Sequence, residues 1–370
     1  MKRVIRLVTA LIGAGMVIAM LASLPVVKAD VIPPTFTILS AANGHIAYSQ
    51  DGKWIAIAGR DKSGANGTFA YVNTLNWQVR TLPVFDVRTT HNFDLNRLAW
   101  TPDSKKLLVD CYKSVAVISV PAWTVEGILS AATEAKGMYG PIACSPTENL
   151  FVGANIDPSN LLVSDRTTGA TQYSIPAKAY GQGPVSWTRD GKFIIAADSL
   201  NVDLIDTVTK KLAISKKLPC ERIIYVTSDP SSKRLAVLYQ APDPAGDPTV
   251  PMVWVQMFSL PDLAPIGSPI KSPFCPVRDL FFTPDGDNLL ALFDYFIDSK
   301  STSAPDRERS FVSVWDAKTG ALLDRLGPVP LPGWGLAIAP DGKNAVVSNK
   351  GQLSIWSMIK YAAPSSAGVN

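Results

Sequence analysis

The amino-acid sequence predicts an all-β protein, a seven-bladed β-propeller of four-stranded antiparallel blades, and three observations support this prediction. One fourteen-residue pattern of strand, tight turn and strand recurs seven times along the 370 residues. Successive copies lie 41 to 56 residues apart. Small side chains recur at one position in six of the seven copies. Repeats of about 40–50 residues with four strands each are typical of propeller blades.

The repeated pattern is centred on a turn whose fullest form is Ser/Thr-Pro-Asp-Gly-Lys. Proline favours the second position of a type I turn, aspartate suits the third, and glycine adopts the left-handed conformation that closes it. Glycine is replaced at Ser104, Glu148 and Ser232. The seven copies are IAYSQDGKWIAIAG (46–59), LAWTPDSKKLLVDC (98–111), IACSPTENLFVGAN (142–155), VSWTRDGKFIIAAD (185–198), VTSDPSSKRLAVLY (226–239), LFFTPDGDNLLALF (280–293) and LAIAPDGKNAVVSN (336–349).

The Ser/Thr position of each turn, here called the turn slot, fixes the register of the strand before it. The seven slots are occupied by Ser49, Thr101, Ser145, Thr188, Asp229, Thr283 and Ala339. Two positions before the slot the residues are Ala47, Ala99, Ala143, Ser186, Thr227, Phe281 and Ala337. Innermost strands need small residues where wedge-shaped blades converge, so we expect these strands to surround a central channel.

A third strand follows each copy, and a turn with a fourth short strand follows six of them. The seventh third strand, LSIWSM (353–358), leads instead into residues rich in Ala, Pro, Ser and Gly. The β-like segment TFTILS (35–40) precedes the first copy and belongs to no complete blade. We expect this N-terminal strand (about 35–40) to join the last blade and close the ring, because closure removes exposed sheet edges.

These features resemble the WD-repeat and YVTN-type β-propellers. The resemblance rests on the turns above, on Trp315-Asp316 with Thr319-Gly320, and on the stretch IDTVTKKLA (205–213). It covers residues 35–358 and implies the seven-bladed architecture. Because this architecture is shared by scaffolds, sensors and several enzymes, the resemblance implies little about activity.

The first 29 residues have the pattern of a secretory signal peptide. Three basic residues precede the uncharged apolar run Leu7–Leu24, and small residues at Val27 and Ala29 precede a cleavage point after Ala29. We expect cleavage and a periplasmic or extracellular protein; the alternative is an uncleaved membrane anchor. Residues 30–360 are expected to form a single propeller domain and residues 361–370 a disordered tail.

Composition argues against several classes of partner. Residues 30–370 carry 31 basic and 31 acidic side chains, because the excess of four Lys/Arg lies in residues 1–29. A neutral surface gives no electrostatic reason to expect nucleic acid. With four cysteines in no CxxC spacing and two histidines, we expect neither a metal site nor a cofactor.

The cysteines allow a disulfide in an exported protein. Cys220 and Cys275 occupy nearly equivalent positions in adjacent blades, so a disulfide between blades five and six is a candidate; the alternative is two separate buried thiols. Cys111 and Cys144 are expected at opposite faces and are not expected to pair.

Candidate ligand-binding residues lie where the inner strands begin. In a propeller, the connections from fourth to first strand and from second to third strand emerge on one face, here called the loop face. Arginines and aromatic rings around the channel there could bind an anionic or sugar-like ligand through bidentate hydrogen bonds and stacking. The alternative is a rim of solvated residues that satisfy loop carbonyls. The candidates are His45, Arg97, Tyr139, Arg222, Arg278, Asp279 and Trp334.

Two connections on the loop face are enlarged, QAPDPAGDPTVP (240–251) and DYFIDSKSTSAPDRERS (294–310). Long loops in compact domains are often functional, so these neighbours are expected to form one lip over the channel opening. Their Pro, Gly, Ser and charge content equally suits mobile decoration.

Catalytic signatures are scarce. GxSxG is absent, no glycine-rich phosphate loop follows a strand, and no nucleophile arrangement surrounds His45 or His91. We therefore expect a monomeric module that binds a protein, peptide or glycan through its loop face. The alternative implied by the resemblance is a lactonase-like or other hydrolase that uses Arg97, Arg278 and Asp279 at the channel mouth.

Overall fold

The computed structural model describes residues 30–40, 43–60, 67–82, 98–110, 115–129, 138–156, 159–176, 183–242, 251–272, 277–294, 309–330, 332–349 and 351–361. These residues form seven antiparallel sheets arranged as the blades of a propeller, which confirms the predicted fold class. Val31–Asn370 is one compact unit; of the other, Met1–Asp30, only Asp30 is described.

Each blade is numbered in chain order and its strands run from the inside outward. Blade 1 contains β3 (Asn43–Tyr48), β4 (Trp54–Arg60), β5 (Gly67–Asn73) and β6 (Gln78–Thr81). Blade 2 contains β7 (Leu98–Trp100), β8 (Lys106–Asp110), β9 (Val115–Ser119) and β10 (Thr124–Leu129). Blade 3 contains β11 (Met138–Cys144), β12 (Leu150–Ile156), β13 (Ser159–Asp165) and β14 (Thr171–Pro176). Blade 4 contains β15 (Val185–Trp187), β16 (Phe193–Ala197), β17 (Asn201–Asp206) and β18 (Lys211–Lys217).

The remaining blades follow the same order. Blade 5 contains β19 (Arg222–Ser228), β20 (Arg234–Pro242), β21 (Pro251–Ser259) and β22 (Pro265–Ser272). Blade 6 contains β23 (Val277–Phe282), β24 (Asn288–Asp294), β25 (Arg309–Asp316), β26 (Leu322–Pro330) and, outermost, β1 (Asp30–Ile32). Blade 7 contains β27 (Gly333–Ile338), β28 (Asn344–Asn349), β29 (Gln352–Ser357) and, outermost, β2 (Phe36–Leu39).

The hydrophobic core is divided into seven clusters, one at each interface between adjacent blades. At the closing interface, Ile46 and Ile57 of blade 1 pack with Val346 and Ile355 of blade 7. The middle strands of each blade carry buried apolar side chains on both surfaces. In β16, for example, the four side chains from Ile194 to Ala197 are fully buried. Burial of apolar area between blades, at about 25 cal/mol per Å², therefore holds the ring together.

The ring closes as predicted. β2 pairs antiparallel with β29, from Phe36 opposite Ile355 to Leu39 opposite Gln352. Hydrogen bonds beside this ladder include the Thr35 N–H to the Ile355 carbonyl at 2.7 Å. The N-terminal segment thus supplies the fourth strand of blade 7.

A second N-terminal strand was not expected from the sequence. β1 adds a fifth strand to blade 6 by pairing with β26, and the indole Nε1 of Trp356 donates to the Ile32 carbonyl at 3.0 Å. Pro33 and Pro34 separate β1 from β2. Because proline cannot donate to a strand ladder, this pair ends one strand and lets the chain pass to the next blade.

The turn slots explain why the repeat has its sequence. In blade 4 the Thr188 hydroxyl donates to Asp190 Oδ1 at 2.7 Å and accepts from the Phe193 N–H at 3.0 Å. Blades 1, 2 and 6 have the same hydroxyl–carboxylate pair. Blade 5 exchanges the two groups, since the Ser231 hydroxyl donates to Asp229 Oδ2 at 2.7 Å. Five of the seven turns thus contain the hydroxyl–carboxylate pair, in either order; blade 3 has Thr147 in place of the carboxylate and blade 7 has Ala339 in place of the hydroxyl.

The residue directly before the slot joins neighbouring inner strands. The indole of Trp100 in blade 2 donates to the Ala47 carbonyl of blade 1 at 3.1 Å. The indole of Trp187 in blade 4 donates to the Ala143 carbonyl of blade 3 at 3.1 Å. These tryptophans thus hydrogen-bond between blades as well as packing there.

A short 3-10 helix, Ile359–Tyr361, ends the described chain against blade 6. Lys360 Nζ lies 2.8 Å from Asp324 Oδ2, and the Tyr361 hydroxyl donates to the same oxygen. Within the described part of the chain, no helix has the length and apolar character needed to span a bilayer.

Candidate functional site

A cavity of about 420 Å³ occupies the centre of the ring, and inner strands of all seven blades line it. Adjacent inner strands contact one another around the full circle, including β27 with β3. Because side chains alternate along a strand, the residues two and four positions before each slot share the surface that faces the cavity. The channel predicted from the small residues is confirmed.

Among the described residues, three polar side chains lie in the cavity wall at the loop face: His45, Tyr225 and Asp279. All three stand four positions before a turn slot. In β19 and β23 a bulge falls directly before Tyr225 and Asp279. Bulges re-aim side chains, and this pair places two long polar groups at one level of the channel.

Asp279 joins three blades. Its Oδ1 accepts from the Tyr225 hydroxyl of blade 5 at 2.5 Å, and its Oδ2 accepts from the Leu336 N–H of blade 7 at 2.8 Å. The side chain is 3% exposed. A buried carboxylate needs such donors, so Asp279 contributes to the architecture of the mouth as well as to its charge.

Glycine takes the equivalent position in blade 7 because the strands meet there. A Cβ on Gly335 would lie 3.0 Å from the Ile46 backbone nitrogen and 3.1 Å from the Cα of His45. The main chains of β27 and β3 therefore approach each other closely at Gly335, where a side chain would not fit.

The middle level of the cavity, here called its waist, is lined by both apolar and polar side chains. The residues two positions before the slot line it in all seven blades, with alanine in four of them. Ser186 and Thr227 add hydroxyl groups on blades 4 and 5, and Phe281 adds the one large side chain.

The opposite mouth lies on the face that carries the turn slots, here called the turn face. Gln50, Arg189, Pro284 and Pro340 line it, each directly after a slot. Arg189 Nη1 donates to the Gln50 Oε1 at 3.4 Å, and these residues belong to blades 4 and 1, on opposite sides of the ring. The guanidinium therefore crosses the opening.

On the loop face outside the mouth, the guanidinium carbon of Arg278 lies 5.8 Å from the ring centroid of Trp334. The two residues belong to adjacent blades, and Trp334 is 37% exposed. Arg222, at the start of β19, is exposed. The structure thus brings together Arg278 and Trp334 on the surface, and Asp279 with His45 in the cavity wall.

Other sequence-predicted residues are only partly placed. Tyr139 lies in β11, with its side chain outside the described part, and Arg97, His91, Cys111 and Cys275 lie outside the described residues. Tyr225 was missed by the sequence reasoning, although counting four positions back from Asp229 would have found it.

Cys220 is present as a thiol whose Sγ lies 3.8 Å from the Ser199 carbonyl. Burial, with Asp198 and Glu221 nearby, raises the pKa of Cys220 to about 11. Burial raises the pKa of Cys144 to about 12. Both thiols are therefore protonated at neutral pH and weak nucleophiles. The Cys220–Cys275 disulfide stays a prediction.

The first enlarged loop is shorter than predicted. Gln240, Ala241 and Pro242 continue β20 and pair with Val253, Met252 and Pro251 of β21, because main-chain pairing extends the hairpin beyond the apolar residues. The connection is 243–250, and the second one is 295–308; both lie outside the described residues. In the described part of the chain, no three His, Cys, Asp or Glu side chains converge as metal ligands.

Comparisons with known proteins identify the fold. Neither a protein-family model nor a curated protein matches this sequence. Among solved structures, the Cps50 (Swd1) β-propeller domain of Myceliophteria thermophila aligns with a TM-score of 0.65 and 16% identity, covering 87% of this chain and 99% of that one. Hydrazine synthase of Kuenenia stuttgartiensis aligns with a TM-score of 0.64 and 18% identity, covering 87% and 97%.

A chain of the mitotic checkpoint complex aligns with a TM-score of 0.68 and 14% identity, covering 90% of this chain and 94% of that one. In all, 1491 chains of solved structures match. An architecture shared so widely, at such low identity, establishes the propeller fold and assigns no activity.

Proposed function

We propose that this protein is an exported interaction module that binds a protein or peptide partner on its loop face, at the surface formed by Arg278 and Trp334. The observation that carries the proposal is the exposed ring of Trp334, with the guanidinium of Arg278 from the adjacent blade 5.8 Å from its centroid. Tryptophan and arginine dominate the binding energy of many protein interfaces, especially where they are held in place before binding. A glycan is the second ligand class that such a ring and guanidinium would suit.

Two of the similar structures support a binding role. One is a chain of the mitotic checkpoint complex, and another is the Cps50 (Swd1) β-propeller domain. A third similar structure, hydrazine synthase, is named as an enzyme, so the fold alone does not distinguish a binding protein from an enzyme.

Export is proposed from the N-terminal pattern. The first residue of β1, Asp30, follows the expected cleavage point after Ala29. Cleavage there would leave intact every strand that the structure describes. The test is to express the full chain in a bacterium and sequence the N-terminus of the periplasmic product. An N-terminus at Asp30 is expected; retention of residues 1–29 in the membrane fraction would contradict cleavage.

The partner surface is tested by affinity capture. The chain from Asp30 to Asn370, tagged at its C-terminus, is incubated with an envelope fraction, and bound proteins are compared between variants. Trp334→Ala should abolish capture of the specific partner, because it removes the exposed ring and its contact with Arg278. Val208→Ala is the matched control, since Val208 is 85% exposed in a turn-face loop.

Equal melting temperatures of Trp334→Ala and wild type would show that loss of capture is local. Capture of the same proteins by Trp334→Ala and wild type would contradict the proposed surface.

A further inference from the structure

The guanidinium group of Arg189, at the turn-face mouth of the channel, makes few contacts with the rest of the protein. Arg189 makes one side-chain hydrogen bond within the described part of the chain, to a neutral amide at 3.4 Å. That distance is well beyond the usual 2.9–3.0 Å of an N–H···O bond, so the contact is weak. The neighbouring carboxylates have other partners: Asp190 lies 3.4 Å from Lys192 and Asp51 lies 3.5 Å from Lys53.

A polar stripe runs from Arg189 up one side of the channel. Ser186 and Thr227 place hydroxyl groups at the waist of blades 4 and 5, and Tyr225 and Asp279 follow at the loop-face mouth of blades 5 and 6. The Ser186 hydroxyl makes one long bond, of 3.4 Å, to the adjacent Trp187 carbonyl. Hydroxyls in this position both donate and accept.

The other side of the waist is apolar. Ala337, Ala47, Ala99 and Ala143 supply methyl groups on four successive blades, from blade 7 through blade 3. The cavity thus has one hydrogen-bonding wall, one hydrocarbon wall and a cation at one end. A slim molecule with hydroxyl groups on one edge, C–H groups on the other and an anionic end matches all three.

We propose that the central channel is a binding site for a small polyhydroxylated anion, a sugar acid or a sugar phosphate, whose anionic group binds Arg189. The guanidinium presents up to five donors and binds carboxylate and phosphate oxygens in a bidentate manner, displacing Gln50. The ligand hydroxyls bind Ser186 and Thr227, and its C–H face packs on the alanines. This site is separate from the partner surface at Trp334, and neither proposal depends on the other.

The size of the cavity fits this class of ligand. The residue after the slot lies five positions beyond the loop-face polar level, and five steps of about 3.3 Å give a channel about 16 Å long. Cavities of about 300–1,000 Å³ bind small molecules, and this one measures about 420 Å³. A six-carbon sugar acid can therefore lie along the axis.

The experiment is isothermal titration of the chain Asp30–Asn370 at low ionic strength with four probes: gluconate, glucose 6-phosphate, glucose and sodium hexanoate. Gluconate or glucose 6-phosphate should bind about tenfold more tightly than glucose, which lacks the charge, and than hexanoate, which lacks the hydroxyls. Binding of gluconate alone assigns a carboxylate ligand and binding of glucose 6-phosphate alone a phosphate; either supports the proposal.

Variants locate the binding. Arg189→Gln should weaken binding of the anion by about tenfold or more, since the substitution removes the positive charge but keeps an amide group. Lys192→Gln is the matched control, because Lys192 is a cation in the same turn but does not line the cavity. The affinity of this variant for the anion should stay within about twofold of wild type. Thr227→Val, nearly equal in volume, should weaken gluconate binding but leave hexanoate binding unchanged.

The Thr227→Val comparison serves as a second test if Arg189→Gln melts at a lower temperature. Absence of binding by both anions, equal affinity for glucose and gluconate, or unchanged affinity in both variants would overturn the proposal.

Discussion

The hydroxyl of Ser104 accepts a hydrogen bond from the backbone N–H of Asp51 at 3.0 Å and so joins the turns of blades 1 and 2. Ser232 accepts from the Asp190 N–H at 3.0 Å and joins blades 4 and 5 in the same way. Both serines occupy the turn position where blades 1, 4, 6 and 7 have glycine, and both have a positive φ, 58° and 57°. At these two positions the departure from glycine therefore supplies a hydrogen bond between blades.

Substitution of Ser104 separates the hydrogen bond from the backbone strain. Ser104→Ala loses the bond and keeps a side chain at positive φ, so it should lower the free energy of unfolding by about 1–2 kcal/mol. Ser104→Gly loses the bond but relieves the strain, so the loss should be smaller by about 1 kcal/mol. Urea unfolding measures both. A glycine variant less stable than the alanine variant would contradict this interpretation.

Gly335 is predicted to be intolerant of any side chain. Gly335→Ala places a methyl group 3.0 Å from the Ile46 nitrogen, where only main chain could move, and should destabilise the protein by about 1–3 kcal/mol. Gly127→Ala in β10 is the control, because a Cβ there meets nothing within 4 Å. The control should unfold at the same or a slightly higher urea concentration. Equal midpoints for both variants would show that β27 and β3 are not in close contact.

The ring closure predicts a graded response to N-terminal truncation. Removal of residues 30–34 deletes β1 alone, whereas removal of residues 30–42 also exposes the edge of β29. The first truncation should lower the melting temperature by a few degrees. The second should lower the free energy of unfolding by several kcal/mol and promote aggregation. Calorimetry and light scattering distinguish them; a melting temperature unchanged by the longer deletion would refute the closure.

Asp229 is predicted to make stability depend on pH. Burial raises its pKa, but hydrogen bonds from Ser231, from the backbone of Arg234 and Lys233, and from the Arg234 guanidinium outweigh burial and hold the pKa below its ordinary value. A carboxyl with a depressed folded pKa stabilises the protein above its unfolded pKa and loses that contribution as the pH falls through the folded pKa.

Wild type should therefore lose stability between about pH 5 and pH 2, partly through Asp229. Asp229→Asn should be less stable by about 1–3 kcal/mol at pH 7, and the difference should narrow toward pH 2. Urea midpoints measured across this range test the sign. A difference that stays constant with pH would show that Asp229 does not act through its charge.

The candidate disulfide is tested by peptide mapping without reduction. Oxidised protein should yield one peptide pair linked through Cys220 and Cys275. If both cysteines are alkylated as free thiols, the disulfide is absent, and the raised pKa of Cys220 then predicts slow alkylation at pH 7 that accelerates toward pH 11.

The sequence predicted the number of blades because the turn chemistry is local. Each turn hydrogen-bonds within itself, through a hydroxyl–carboxylate pair in five of the seven blades, so the pattern is recognisable in the sequence. The closure of the ring could be predicted because the β-like segment 35–40 belonged to no complete blade. β1 gave no such signal, since three residues before Pro33 are too few to show a period-2 pattern.

The cavity wall was harder to predict because its contacts join distant parts of the chain. The sequence reasoning considered Arg222 in blade 5 and missed Tyr225, whose hydrogen bond to Asp279, 54 residues away, forms only in the folded ring. Arg189 and Gln50 are 139 residues apart, and only the geometry of the ring brings them together.

The pairing of Phe36 with Ile355 has a consequence for how the chain is made. Partners 319 residues apart in sequence cannot meet until nearly the whole polypeptide has been synthesised. Contacts at such separation form late, after more local hairpins. During synthesis the last blade's edge and the early strand that completes it both lack a partner, and a product that terminates before residue 352 would never obtain one.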